Sequence, residues 1–539
     1  MRVSTPFKLA ATAAAVALLA TACGGDDDDG DGEGTAEEAE TPAVAEGGTL
    51  RIYSSEPAFL VPTAGDDQPS ILVIRQLYSG LVDYDQEGKP YLDLAESIES
   101  EDNQTWTIKV KDGYTFHNGE PVDADAFIRA WNYAADGDNA QNNAYFMSRI
   151  VGIDEAQETG ADELTGLTKV DDMTFQVELT EPFVGLDAIL GYSGFFPVAE
   201  ECLADFDVCN ETPIGNGPYQ IEGEWQHNVG ITLTRFEDYP DEGHSNPDTL
   251  EYQIFTDVDA AYAAYQAGEL DVMYTVPPAR IAEVTALETH LQLPGDSFTY
   301  VGLPLYLPQF EDPRVRQAIS LAIDRQPIID AVFDGTRTPA TGLVSPNFDG
   351  YREGACEFCV YDPERAQQLL EEAGGWQGGT LKLEANAGAG HEDWMQAVGD
   401  QLRENLGIDY ELAINLEFPE YLARSDADEF EGAFRLGWGP DYPVMETYLA
   451  PLYGTGGSSN NANYDNPEFD DLIRQGDSAA SLEEAIPFYQ QAEDLVLADM
   501  PVVPMWWADE IAVWSDNIEN FVWNPINEPE YGQMVMASE

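Results

Sequence analysis

Lysine is almost missing from this chain. Lys8, Lys89, Lys109, Lys111, Lys169 and Lys382 are the whole set in 539 residues, and lysine and arginine together number 23 against 101 aspartates and glutamates. The formal net charge is −78 at pH 7. Nucleic acid and anionic lipid are excluded as electrostatic partners, because both are repelled by such a surface. The acids run along the whole sequence rather than in one tail. Two readings of them stand: steering of cationic ligands, or a surface adapted to high salt, where carboxylates hold water and the Debye length falls to ~3 Å at 1 M. The second is preferred, since screening in that setting cancels long-range steering.

Catalytic signatures are missing too. The chain has no G-x-S-x-G elbow, no H-E-x-x-H, no P-loop and no dinucleotide-binding glycine pattern. Its five histidines, His117, His227, His244, His290 and His391, are scattered. Carboxylates are too numerous for any pair to stand out as a glycosidase acid and base. Nothing points to an enzyme, and no metal or cofactor is expected. No stretch beyond the N-terminal region reaches the ~20 apolar residues of a membrane-spanning helix.

Cysteine is scarce and oddly placed. Cys202 and Cys209 flank a short acidic loop, and Cys356 and Cys359 form a C-x-x-C. Two local disulfides are the simple reading for an oxidising exterior. A zinc site from the same four thiols is an alternative, and four cysteines allow three pairings among which sequence does not choose. Cys23 stands apart. Arg2 and Lys8 precede an apolar, alanine-rich run from Leu9 to Ala22, too short and too weakly hydrophobic to span a bilayer stably. The small residues Ala20, Thr21 and Ala22 then lead into Cys23. This arrangement resembles the lipobox of bacterial lipoproteins, which implies a signal peptide over 1–22 and an acylated Cys23 as the mature N-terminus. An ordinary secretory signal is the alternative. The stretch 23–46 is rich in Gly, Asp and Glu and has no aromatic residue. It cannot bury enough apolar surface to offset chain entropy and reads as a disordered acidic tether.

What is present is a large folded body. Hydrophobic residues make up 43 %, enough for a sizeable core, and the length implies two or more lobes. Alternation in "TLRIYS" predicts a strand, and "SILVIRQLYSG" has helical spacing at Ile71, Ile74 and Leu77 with Gly80 as a stop. Trp106, Ile108 and Val110 mark a half-buried strand, Tyr114 to Phe116 is expected to return as its partner, and Asp123 caps a helix carrying Phe127, Ile128 and Trp131. Helices open after Asp-Pro at 312–313 and 362–363. The order of helices and strands after residue 360 suggests an open α/β lobe. Asp441 sits in a Gly/Pro-rich segment near Trp438, Tyr442, Tyr448 and Tyr453. A carboxylate among aromatics is unfavourable unless a cation or donors meet it. A ligand ammonium would serve, and a helix cap or a surface loop acid is the blander reading.

Six stretches, "KDGYTFHNGEPVDADAFIRAW", "PIGNGPY", "AAYQAGELDV", "RVRQAISLAIDR", "YDPERAQQLLEEAG" and "YDNPEFDDLI", stand in this order along the chain. Together they resemble the extracytoplasmic solute-binding proteins, family 5, of peptide ABC transporters, from Gly47 to the C-terminus. The resemblance implies an α/β, periplasmic-binding-protein-like fold of the large three-lobed form. Lobe I would take 47–84 with 213–301 and 504–539, lobe II the insertion 85–212, and lobe III 302–503, with ligand enclosed between I and III by hinge closure. It implies that Asp441, following Trp438-Gly439-Pro440, holds a peptide's α-ammonium. It further implies backbone partners at the "EPAFL" strand (Glu56, Ala58) and at Gly437, with a polar contact at Asn460. The function implied is a lipid-anchored receptor on the outer face of the cell membrane that passes short peptides to a permease and performs no covalent chemistry. The alternatives are another solute on the same fold (a nickel chelate, an oligosaccharide, an opine-like compound) or, further off, a secreted hydrolase or adhesin.

Overall fold

The computed structural model describes residues 47–161, 163–240, 246–526 and 528–537. The expected signal peptide, Cys23 and the acidic tether lie outside the described residues, as does His244.

An eleven-stranded mixed sheet forms the spine. At its centre Thr49–Ser54 runs parallel to both Thr249–Ile254 and Val272–Met273. Leu50, Ile52, Tyr53 and Ser54 are all buried, as a strand flanked on both sides and covered on both faces requires. Gly230–Arg235 and Tyr219–Ile221 extend this half outward by antiparallel pairing. The other half is built from Leu381–Asn386, which runs parallel to Tyr410–Leu416 and to Ala433–Trp438. Helices Pro313–Leu321, Pro363–Glu372 and Glu392–Leu406 cover it, burying Ile319, Leu370, Trp394 and Leu402 in one cluster with Leu381 and Leu383. Both Asp-Pro starts behave as their chemistry dictates. The Asp312 and Asp362 side chains accept the N–H groups of Arg314 and Arg365, and the proline sits in the first turn, where a missing N–H costs nothing.

Two 13-residue strands, His290–Gly302 and Val502–Trp514, join the halves as an antiparallel ribbon. One end of the ribbon pairs with Val272–Met273, the other with Ala433–Trp438. Between them the register breaks. Pro294 faces Asp509 and Phe298 faces Trp507, so Gly295, Asp296 and Ser297 together oppose Ala508. Such a bulge bends and twists a ribbon locally.

A four-stranded antiparallel sheet, in the order Ala95–Ser100, Thr105–Val110, Thr174–Glu178, Leu167–Asp171, is inserted after the first helix. Helix Ala124–Ala135 packs on it through Phe127 and Trp131 against Phe175, and Asp123 accepts the N–H of Ala126 at its start. Tyr114 to Phe116 does not pair with Thr105–Val110, because Ala95–Ser100 and Thr174–Glu178 already occupy both edges of that strand. Thr115 instead bridges Pro121.

Helix Gln68–Leu77 ends three residues before Gly80. The stop comes from "PIGNGPY". The Gly217 N–H donates to the Leu77 carbonyl at 2.8 Å, and the Asn216 amide exchanges bonds with the backbone of Ser79. Gly215 lies so close that a Cβ there would stand 1.8 Å from the Leu77 oxygen. Among the described residues no helix is long and apolar enough to cross a membrane.

Candidate functional site

Ala433–Trp438 lies against Phe298–Gly302 of the ribbon, with Gly437 opposite Thr299. Leu381–Asn386 pairs with it only at Ala433 and Phe434. Beyond that point, Leu436 to Trp438 have no strand on that side among the described residues. Gly439-Pro440 ends the strand, since proline offers no ladder N–H, and the chain turns at Asp441.

Asp441 lines a cavity of about 320 Å³ assembled from five separated stretches of chain, with Tyr84 and Ile526 each adding a wall. Asp66, Gln68 and Arg75 come from the first helix and the turn before it, Tyr192 and Ser193 from the end of the inserted unit, and Asp441 from the second half of the sheet. No hydrogen bond or ion pair reaches the Asp441 carboxylate from the described residues. Burial alone pushes its carboxyl up to about 7. It does not cap the following turn, Met445–Tyr448, whose cap is Val444 without a side-chain bond. After burial, the Asp441 charge also helps raise the phenols of Tyr84, Tyr145 and Tyr192. Ser193 is 1 % exposed, and its hydroxyl has no hydrogen-bond partner among the described residues. The Arg75 guanidinium on the cavity wall is bound to Asp83 at 2.5 Å and lies 4.0 Å from Glu530.

A second cavity, of about 520 Å³, shares Gly439, Pro440 and Ile526 with the first. The ribbon bulge forms one wall, and Trp514 and Phe521, stacked at 4.3 Å between centroids, form another. Asp296 in the bulge is bound by the Ser345 hydroxyl and, at 3.0 Å, by the Asn347 amide. Burial outweighs these bonds and pushes its carboxyl up to about 6.

The other residues singled out in the sequence lie elsewhere. Tyr442 is buried away from the Asp441 cavity, its hydroxyl donating to Glu446 at 2.9 Å, because the chain direction changes at Gly439-Pro440 and adjacent side chains face opposite ways. Tyr448 and Tyr453 are core residues as well. Trp438 is half-buried, and its indole N–H has no partner among the described residues. Asn460 closes its own loop: its amide donates to the carbonyls of Gly454 and Tyr464 and accepts the Tyr464 N–H. The "EPAFL" segment is not a strand, since Thr49–Ser54 ends before it. The Ala58 N–H is taken by Ser70 and Asp67, and Glu56 holds the Asn228 N–H at 2.8 Å and His227 Nδ1 at 2.7 Å. Glu56 is the first cause of the raised His227 pKa, ahead of Glu211. Neither Glu56 nor Ala58 lines the Asp441 cavity. No local pattern in the sequence links the cavity walls Tyr84, Tyr192, Ser193 and Asp66 to Asp441. Cys202 is joined to Cys209 and Cys356 to Cys359. Among the described residues, no group of three or more His, Cys, Asp or Glu is arranged to hold a metal ion.

Comparison with known proteins agrees with this architecture. The family model described as bacterial extracellular solute-binding proteins, family 5, middle region, matches residues 89–460. The oligopeptide-binding protein OppA of Bacillus subtilis is 28 % identical over 499 residues, covering 88 % of this chain and 90 % of its own. The dipeptide-binding protein DppE of Bacillus subtilis is 26 % identical, covering 88 % and 89 %. Among solved structures, Haemophilus influenzae OppA in complex with RPPGFSPFR superimposes with a TM-score of 0.72 at 23 % identity, covering 92 % of this chain and all of that one. With the family model spanning well over half of the sequence, the chain belongs to the bacterial extracellular solute-binding proteins of family 5.

Proposed function

We propose that this protein captures short peptides in the cleft beside Asp441 and delivers them to the membrane permease of an ABC importer, without covalent chemistry. The single observation that carries the reading is the Asp441 carboxylate, half-buried, unpartnered among the described residues and lining a half-open cavity. A buried charge of that kind is costly until a cation meets it. A peptide's α-ammonium supplies the cation. The open side of Leu436 to Trp438 supplies an edge on which an extended backbone pairs as an added strand. The peptide-binding relatives support the same ligand class.

The ribbon then serves as the hinge. In this reading lobe I comprises 47–84, 213–301 and 504–539, lobe II 85–212 and lobe III 302–503, and closure about the bulge at Gly295 to Ser297 seals the peptide between lobes I and III. Acylation at Cys23 would hold the body at the outer face of the cell membrane through the acidic stretch 23–46, and the acidic surface would suit high salt. In the closed state Glu56 and Ala58 would offer their carbonyls, since the Ala58 N–H is already bound, and Gly437 its backbone, as contacts for the peptide.

Native mass spectrometry of the purified protein after incubation with a peptide mixture tests the reading. Intact peptides should be retained, and Asp441→Asn should retain few or none. Cleaved products, or no retained peptide, would overturn it.

A further inference from the structure

The charge of the Asp441 cavity is one-sided. Asp66 stands on its wall as a second carboxylate; its Oδ1 accepts the Asn142 amide at 3.0 Å, and its Oδ2 has no partner among the described residues. The wall's cation, Arg75, is already neutralised by Asp83 and faces Glu530. The adjoining cavity adds Asp296 and Glu510 to its lining and contributes no lysine, arginine or histidine. Apart from burial, which acts first, Asp441, Asp66 and Asp67 all push the Tyr192 phenol upward, so the three charges converge on one hydroxyl in this cavity. Ser193 adds a polar group that a ligand could use: its hydroxyl, 1 % exposed and on the same wall, has no hydrogen-bond partner among the described residues. A buried hydroxyl without a partner is uncommon in folded proteins.

One ammonium answers Asp441. A second positive group is then drawn to Asp66, and a peptide carboxylate entering either cavity meets no free cation on the walls. Like charges brought together in a partly desolvated site repel strongly, so the arrangement selects against acidic residues as well as for basic ones. Resting on the peptide reading of the same site, we propose that the pocket prefers peptides with lysine or arginine at the first position, and that Asp66 is the residue that sets this preference. The aromatic side chains Tyr84 and Tyr192 fit the same chemistry, since aromatic faces attract cations.

The test is calorimetric titration, at ~0.15 M salt to limit screening, of four tetrapeptides that differ at position one: Lys, Arg, Ala and Glu, each followed by three alanines. In the wild type, the Lys and Arg peptides should bind about three- to tenfold tighter than the Ala peptide, and the Glu peptide more weakly still, as expected for a partly exposed charge pair that becomes desolvated on closure. In Asp66→Asn the Lys, Arg and Ala peptides should bind within about twofold of one another, whatever the affinity for the Ala peptide itself. Equal affinities across the wild-type panel, or a basic preference that survives in Asp66→Asn, would overturn the role of Asp66 while leaving peptide binding intact. Failure of all four peptides to bind the wild type would overturn both the preference and the peptide reading beneath it.

Discussion

Burial pushes the Asp441 carboxyl up to about 7, and that value sets a pH profile. An ammonium seated against it favours the ionised form, so binding below pH 7 must first release a proton. The dissociation constant should rise about tenfold for each pH unit below 7, flatten above it, and rise again once the peptide's own α-amine, near 7.7–8.0, loses its proton. In Asp441→Asn the acid limb should disappear; a wild-type affinity that stays flat from pH 5.5 to 7.5 would contradict the assignment. Stability follows the same shift with its own sign. The folded carboxyl lies above its ordinary 3.8, so its contribution is fully present below about 4 and is lost as pH rises through 7. Without peptide, Asp441→Asn should therefore be more stable than the wild type at pH 8, by about 1–3 kcal/mol, and equal to it at pH 4. At this scale the sequence was half legible. Asp441 announced itself as a carboxylate among aromatics, but those aromatics are not its walls. Tyr442, one residue on, points into the core, and Asn460 is spent on its own loop. The true walls, Tyr192 and Asp66 among them, are brought in by tertiary folding, which spacing along a chain does not encode.

Helix starts and central strands could be read from local chemistry, because caps and alternation are local effects. Asp312, Asp362 and Asp123 each bond an N–H in the first turn of the helix they open. The misreadings arose where a distant segment decided the outcome. Thr105–Val110 lost its expected partner because strands before and well after it claimed both edges. Helix Gln68–Leu77 stops where "PIGNGPY" packs against its end rather than at the next glycine. That packing gives a direct prediction. Gly215→Ala would place a Cβ 1.8 Å from the Leu77 oxygen, and neither backbone segment can yield without losing the Gly217 bond. The expected cost is about 2–3 kcal/mol, in the range for forced overpacking, read as a lower denaturant midpoint with unchanged slope. A midpoint equal to the wild type would show that the helix end is not held in this way.

The whole molecule carries a net charge of −78, and its cations are mostly committed to pairs such as Arg51–Asp271, Arg149–Glu446 and Arg352–Glu493. Unpaired acids then repel across the surface, and added salt shortens that repulsion from ~10 Å at 0.1 M to ~3 Å at 1 M. The melting temperature should rise by roughly 5 °C or more between 0.1 and 2 M KCl; a constant or falling value would argue against a surface suited to salt. The α/β character and the order of the motif blocks were legible at this scale. The ribbon was not, since nothing in "MPVVPMWWADEIAVW" says that it will pair for 13 residues with a strand some two hundred positions earlier in the chain and break register midway. Everything turns on whether the negative group beside that ribbon meets a peptide's positive end. The direct measurement is a double-mutant cycle by calorimetry: one peptide, with free and acetylated α-amine, titrated into wild type and Asp441→Asn. The expected coupling is about 3–5 kcal/mol, with the free peptide bound tightly by the wild type alone and the acetylated one bound weakly and equally by both. Acetylated and free peptides binding the wild type with the same affinity would contradict it.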